Sequence, residues 1–465
     1  MIILGGAADD GLDELDGRTP LEAAAMPGLD RIAQLGRVGT VATAPEGWRA
    51  TPETTLMTIF GHDPARTSCE RGPVEAVGLD LDLGSGAAMR LDLATIGQEG
   101  TPEAGLVVRL AEPGLPGTQG GRLRAATGTD THGRDAHATG SGSQASGSAS
   151  RAAGDASRAA GKGLSDAEAG TLLTDLLEHW KRTLGSRAAG LELAAATPGG
   201  AILIDRSGRG YRGVVTTPPD DLLDEPANDY LPMAGDGEAA DFLRELIESA
   251  YPFLRDHDIN KARAEAGLLA ANLAWPWAPG TLPAVPPLAK QFALRGLLLA
   301  ACPVARGIAR IAGWDCLSDA ATDDLTALGD QACVALEAVD IVAVHVDAPA
   351  LAALNFDWDY KTESLEAIDA AIIGPILETL ERFGDAEADT DAVGWRMMVL
   401  PDRAVLTATG KPDSRPVPVA MAGAWIRSAV TRKMNETEAE ESDMHIDPGC
   451  ELLEYFLRGG LARVR

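Results

Sequence analysis

Lysine, histidine and cysteine are all scarce in this 465-residue chain, which holds seven, seven and five of them. The cysteines, Cys69, Cys302, Cys316, Cys333 and Cys450, are scattered, odd in number and without a C-x-x-C spacing. That pattern speaks against a disulfide framework or a cysteine-based zinc finger. Reduced thiols of a cytoplasmic protein are the expectation. Long apolar runs are missing too. The longest, LRGLLLAACPVARGIARIAG, is interrupted by Arg295, Pro303 and Arg306, too broken for a bilayer span. The opening MIILGG has neither a basic n-region nor a long apolar h-region, so no signal peptide is expected. Positive charge is short as well: 40 basic residues face 69 acidic ones, a formal charge of -29. Such a surface repels phosphate backbones and anionic lipid, so neither nucleic acid nor a membrane is an expected partner.

What is present suits a folded enzyme-sized protein. At this length one hydrophobic core gives way to two domains, and 45% apolar residues are ordinary for globular chains. Residues 112–162 stand apart as Gly, Ser, Ala, Thr and Arg with almost no large apolar side chain. Such a stretch cannot bury enough surface to offset its ordering entropy, so a disordered low-complexity insertion is expected there. His132 and His137 lie inside it and, with no cysteine partner, read as incidental rather than as a metal pair.

Order resumes at Ser165-Asp166-Ala167-Glu168, a capping-box pattern, followed by Leu172, Leu173, Leu176 and Leu177 on one helical face. AILID at Ala201–Asp205 and GVVTT at Gly213–Thr217 read as strands, with helices around Ala239–Ala250 and Lys261–Gly267. In the last third the pattern alternates. An apolar segment at Gly296–Ala301 precedes a helix around Val304–Ala312. A β-branched run at Val339–Val346 precedes a long helix from about Glu363 to Phe383, and Arg396–Leu400 is again a strand. This rhythm implies an α/β, doubly wound, mostly parallel sheet, with chemistry at the carboxyl ends of its strands.

The segment GRTPLEAAAMPGLDRIAQLGRVGT (Gly17 to Thr40), then GHDP at Gly61–Pro64 and RGPVEA at Arg71–Ala76, resembles the start of the archaeal-type cofactor-independent phosphoglycerate mutases. Further pieces follow in that family's order: TTPPDDLL from Thr216, DHDINKAR from Asp256, AANLAW from Ala270, RGIARIAG from Arg306, VHVDAP from Val344 and PVPV from Pro416. The resemblance implies an alkaline-phosphatase-like domain of residues 1–80 and 285–465 and a smaller inserted α/β domain at 81–284. It also implies transfer of a phosphoryl group between 3- and 2-phosphoglycerate through a serine, with two divalent metals, manganese or zinc.

Gapless counting from these motifs puts the family's ligands on unsuitable residues. The first-strand Asp falls on Gly5 and the nucleophilic Ser on Pro52. The Asp and His after VHVDAP fall on Ala350 and Leu354, and the last His on Pro412. Only Asp402 survives as a metal ligand, with Arg403 where the family has His. Thr54 and Thr55 are weak nucleophile substitutes whose plainer reading is first-turn helix residues. Asp9 and Asp10 read as solvated cap or loop acids, Asp357 and Asp359 as surface acids, and His345 as a packed core histidine. Arg71, Lys261, Arg263, Asn272 and Arg403 are the substrate-side candidates, since Arg suits phosphate and carboxylate.

Three functions follow as expectations. The first is a catalytically degenerate, metal-free binding or regulatory homologue, without cofactor, taking a small phosphorylated or carboxylated metabolite and partnering an active paralogue or copies of itself. The second is an active mutase with a relocated site built from Asp9 or Asp10, Thr54 or Thr55, and Asp357 or Asp359. The third is a metal-independent activity on a small anionic metabolite, using Arg71, Lys261, Arg263 and Arg403.

Overall fold

The computed structural model describes residues 1–67, 69–97, 107–108, 164–197, 200–222, 225–233, 238–317, 324–384, 394–427 and 430–458. The expected insertion at 112–162, with His132 and His137, lies outside them. The described residues fall into two compact units, one formed by Met1–Asp82 and Leu282–Arg465, the other within Leu83–Thr281. No described helix is long and apolar enough to cross a membrane. All five cysteines are free thiols.

The first unit is built on an eight-stranded sheet. Its spatial order is His445–Ile446, Arg37–Val41, Val417–Gly423, Arg396–Pro401, Ile2–Leu4, Ile341–Val346, Gly296–Ala300 and Asp315–Cys316. Only Val417–Gly423 runs against its neighbours; the other pairings around it are parallel. Strand alternation explains why a three-residue strand can sit at the centre. Ile3 packs on one face with Leu56, Ile308 and Leu400, while Ile2 and Leu4 pack on the other with Ile32, Val344 and Ile372. Both faces are therefore covered by helices, the doubly wound arrangement expected.

Two close approaches fix the helices on the first face. A Cβ on Gly78 would lie 1.7 Å from the Pro303 carbonyl oxygen, and one on Gly307 1.9 Å from that of Val74. Helices Arg71–Gly78 and Pro303–Ile311 touch backbone to backbone because these positions are glycine. On the second face, the long helix expected from Glu363 starts earlier and is interrupted. It runs Trp358–Ile368, a π-helical turn Asp369–Ile373, and Gly374–Glu381. Pro375 has no N–H to donate back into the preceding turn, and the wider turn accommodates it. The buried Asp369 carboxylate on that turn accepts the N–H groups of Gly28 (2.9 Å) and Leu29 (2.8 Å), capping the helix Pro27–Leu35 from far away in sequence.

In the second unit, Ala87–Ile96 pairs antiparallel with both Gly200–Asp205 and Leu273–Gly280. The outer neighbour of Gly200–Asp205 is Leu191–Thr197. Helices Asp166–Leu184 and Glu238–Arg255 share a core with the sheet through Leu172, Leu176, Phe242, Leu246, Leu91 and Leu203. The capping box is present: Ser165 and Glu168 each serve the other's backbone N–H. The expected strand Gly213–Thr217 does not form, and only an isolated bridge joins Val215 to Met233. The polar atoms of Thr216 and Thr217 are spent elsewhere. Thr216 Oγ1 accepts the Ala278 N–H (2.9 Å) and the Thr217 carbonyl accepts Trp275 Nε1 (2.8 Å). Pro218 and Pro219 then remove the donors a ladder would need.

Candidate functional site

Four parallel or near-parallel segments deliver side chains to one end of the first unit's sheet. Ile2–Leu4 ends at Gly5 and Ile341–Val346 at Asp347. Arg396–Pro401 ends at Asp402, and Gly296–Ala300 is followed by Cys302. In open α/β sheets this end is where ligands bind. The turn after the first strand is tight. Gly6 has φ +59°, and its N–H donates to Asp402 Oδ1 at 2.7 Å. A Cβ on Gly5 would lie 2.5 Å from Asp347 Oδ1, and one on Gly6 2.7 Å from both Ala350 and Val405. A side chain at Gly6 would clash with its neighbours, and one at Gly5 would have to displace the Asp347 carboxylate.

Asp402 is fully buried, and Arg403 Nη1 pairs with its Oδ2. Burial alone would raise its pKa, but Arg403, His345 and the Gly6 N–H outweigh it and hold the carboxyl below its ordinary range. Arg403 is itself 8% exposed, so the expected substrate contact is instead an internal counter-ion.

Asp9 corrects an expectation. It is 1% exposed rather than solvated. Lys361 Nζ, also fully buried, donates to Asp9 Oδ2 at 2.8 Å, to the Val405 carbonyl at 2.8 Å and to the Ala8 carbonyl at 3.4 Å. Thr407 adds its hydroxyl to Asp9 Oδ2 at 2.5 Å and its N–H to Oδ1 at 3.1 Å. Burial pulls the Lys361 ammonium below its ordinary pKa, against the attraction of Asp9. Asp10, the neighbour, is exposed and pairs with Arg415. The sequence reading missed Lys361. Its signal was spacing: Lys361 shares one helical stripe with the buried Leu365 and Ile368.

Pro52 is the first residue of helix Pro52–Ile59, with Thr51 as N-cap. Thr54 Oγ1 accepts from Thr51 Oγ1 (3.0 Å), and the buried Thr55 hydroxyl donates to the Thr51 carbonyl (3.1 Å). Both hydroxyls are engaged in the helix's own first turn. Asp357 caps helix Trp358–Ile368 through the Tyr360 N–H at 2.9 Å, and both it and Asp359 are exposed. Arg71 Nε sits 3.2 Å from Glu75 Oε2. Burial alone would lower its pKa, yet Glu75 and Glu53 hold the guanidinium above its ordinary value.

The remaining substrate-side candidates lie in the second unit. Arg263 is 4% exposed, donating to the Leu269 carbonyl (2.8 Å) and pairing with Glu168 (3.2 Å). Asn272 Oδ1 accepts the Ile96 N–H at 2.7 Å, and its Nδ2 donates to the Ile96 carbonyl at 2.9 Å. Lys261 is exposed and faces Asp258 at 3.5 Å. Arg263 and Asn272 thus fasten their own unit.

Beside the Asp402 pair lies a third group that the sequence reading left unassembled. Donor atoms of Cys302, His345 and Asp347 all lie within 4.8 Å of one another. His345 is 2% exposed, and neither ring nitrogen has a hydrogen-bond partner. Its Nε2 is 3.6 Å from Asp347 Oδ1 and 3.9 Å from Asp402 Oδ2, both too long for hydrogen bonds.

A family model described as 2,3-bisphosphoglycerate-independent phosphoglycerate mutase matches residues 33–112. Proteins bearing that name are similar over nearly the whole chain. One from Methanothrix thermoacetophila is 27% identical, covering 99% of both chains. Another, from Methanothermobacter thermautotrophicus, is 28% identical over 98% of this chain and 96% of its own. Over nearly its whole length the chain is thus similar to the cofactor-independent phosphoglycerate mutases. The fold agrees. A solved protein from Pyrococcus horikoshii superposes with TM-score 0.67 at 22% identity, covering 99% of this chain and 96% of its own. A solved cofactor-independent phosphoglycerate mutase from Thermoplasma acidophilum gives 0.52 at 18%, covering 99% and 98%.

The residues present do not fit the pair of divalent metals that the family resemblance implies. Ala350, at one counted ligand position, is buried against Ala353 and Val405. Pro412, at another, pairs in a short hairpin with Val405. Asp9 and Asp402, the buried carboxylates nearby, already have Lys361 and Arg403 as cations.

Proposed function

We propose that this chain is a member of the mutase family that binds a small phosphorylated or carboxylated metabolite without two-metal phosphoryl transfer. The observation carrying this reading is the pair of buried ion pairs, Asp9 with Lys361 and Asp402 with Arg403, at the strand ends. Each pair is net neutral, so neither Asp9 nor Asp402 offers an uncompensated charge to a divalent cation. A unit charge about 4 Å from another costs or gains about 4 kcal/mol at an effective dielectric near 20, and a divalent ion doubles it. A metal approaching either carboxylate would therefore meet repulsion from Lys361 or Arg403 about as large as its attraction. Two-metal transfer depends on that neutralising charge at the attacking and leaving oxygens.

Arg71 is the cation that we assign to an anionic ligand in the first unit. A guanidinium can grip a carboxylate or phosphate bidentately. Expected in the test are saturable binding of 3-phosphoglycerate by calorimetry and no conversion to 2-phosphoglycerate with saturating manganese. Turnover in the usual enzyme range of about 1–10³ s⁻¹ overturns the proposal. It would favour the second reading, an active mutase with a relocated site, which the names of the 27–28% identical relatives support.

A further inference from the structure

We infer that Cys302, His345 and Asp347 form a site for one thiophilic divalent cation, Zn²⁺, distinct from the family's two-metal centre. This departs from the metal-free chain expected from sequence. It concerns residues other than those onto which the family's ligands count. The site is built by the fold: His345 is the penultimate residue of strand Ile341–Val346, Asp347 follows that strand, and Cys302 precedes helix Pro303–Ile311.

Its centre is the histidine. A buried imidazole with both nitrogens unpartnered forgoes hydrogen bonds that water would supply, a cost of about 1–3 kcal/mol per group. A cation on Nε2 would satisfy the nitrogen that faces Asp347. The other two donors are better placed for exchange with solvent, since Cys302 is half-buried and the Asp347 side chain is 27% exposed. Asp402 is not counted as a ligand, because Gly6 and Arg403 already occupy its two oxygens.

The donor set selects the metal. Sulfur, imidazole nitrogen and one carboxylate oxygen suit zinc or cobalt and disfavour magnesium, calcium and manganese. Three protein ligands plus an open fourth position is the usual arrangement for a reactive zinc. Bond lengths of about 2.0–2.3 Å require donor atoms closer together than the present 4.8 Å limit. Rotation about the Cys302 and Asp347 side-chain bonds is the movement that closure would require. The Cys302 thiol, pushed well above its ordinary pKa by burial and Asp347, gives up its proton to solvent as the thiolate–metal bond forms.

The test uses the full chain, stripped with a chelator, loaded with zinc, desalted and assayed for metal by mass spectrometry. One equivalent per chain is expected. Cobalt loading should give a thiolate-to-cobalt charge-transfer band. Cys302→Ser and Asp347→Asn should each weaken zinc retention by more than the roughly 10–100-fold typical of an outer-shell change. Cys302→Ser should also abolish the band, with the far-UV circular dichroism unchanged. Cys333→Ser, in helix Leu325–Ala335, should retain metal and band. If Cys302→Ser does not fold, Asp347→Asn alone decides. No zinc retained by the wild type, or equal retention in Asp347→Asn, overturns the site. Either result leaves the mutase assay unaffected, so the two proposals fail separately.

Discussion

Replacing Lys361 by Met tests whether the strand-end carboxylates are held by the chain's own cations. Methionine keeps much of the side-chain volume but removes the ammonium. All three of its donors are used, on Asp9 Oδ2 and on the carbonyls of Val405 and Ala8. Asp9 would keep Thr407 and the Asp10 N–H as donors but lose its only counter-ion within hydrogen-bond reach among the described residues. Removing one member of a buried pair leaves an uncompensated charge and costs about 3–5 kcal/mol. For a domain of this size each kcal/mol shifts the midpoint by about 2–4 °C. Lys361→Met should therefore melt roughly 6–20 °C below wild type by scanning calorimetry.

Asp9→Asn should be similarly damaging, because it strands the ammonium. The double variant Asp9→Asn/Lys361→Met leaves no buried charge, and it should recover at least about 2 kcal/mol relative to the sum of the singles. Additivity within about 0.5 kcal/mol would mean that the two groups do not act as a pair. That result would remove the main support for a dismantled two-metal centre.

Other predictions follow from single contacts. Gly307→Ala would put a methyl carbon 1.9 Å from the Val74 carbonyl, so helix Pro303–Ile311 must shift at a cost of about 1–3 kcal/mol, read by urea midpoint. Asp369→Leu should cost about 1–3 kcal/mol by uncapping helix Pro27–Leu35, and Asp369→Asn, which keeps one acceptor, should cost less. In the second unit, burial alone would raise the Asp205 pKa, but Ser207, Tyr211 and Arg209 lower it below the ordinary value. A depressed carboxylate contributes stability above its unfolded pKa, near 4, that is lost as pH falls through the folded value. Hydrogen-exchange protection factors on strand Gly200–Asp205, corrected for the intrinsic pH dependence of amide exchange, should thus fall below about pH 4 in the wild type and change less with pH in Asp205→Asn.

Much of the fold was legible because its signals are local. β-branched runs flag Ile341–Val346, and a capping box flags the start of Asp166–Leu184. Where local signals misled, a distant partner had won. Gly213–Thr217 has a strand's composition, yet its polar groups serve Trp275 and Ala278 from across the second unit. The sequence around Glu363–Phe383 reads as one helix because nothing nearby announces that Asp369 is needed at the start of Pro27–Leu35.

The counted ligand positions are judged one residue at a time and the buried ion pairs are not, and the difference is physical. A counted position that falls on Gly5 or Pro52 is judged from one residue, since neither side chain bears charge or a lone pair. A buried ion pair needs two residues, and here Asp9 and Lys361 are separated by 352 positions. In isolation an acid in a loop reads as solvated, which is why Asp9 was misjudged. Lys361 carried the better clue, because an ammonium on an apolar helical stripe must find an anion or leave the core. The same reasoning applies to His345. A histidine in a buried strand reads as packing until both its nitrogens prove to lack partners, and only the fold brings Cys302 beside it and Asp347. Unpaired chemistry in a sequence is thus most informative where burial forbids water from completing it.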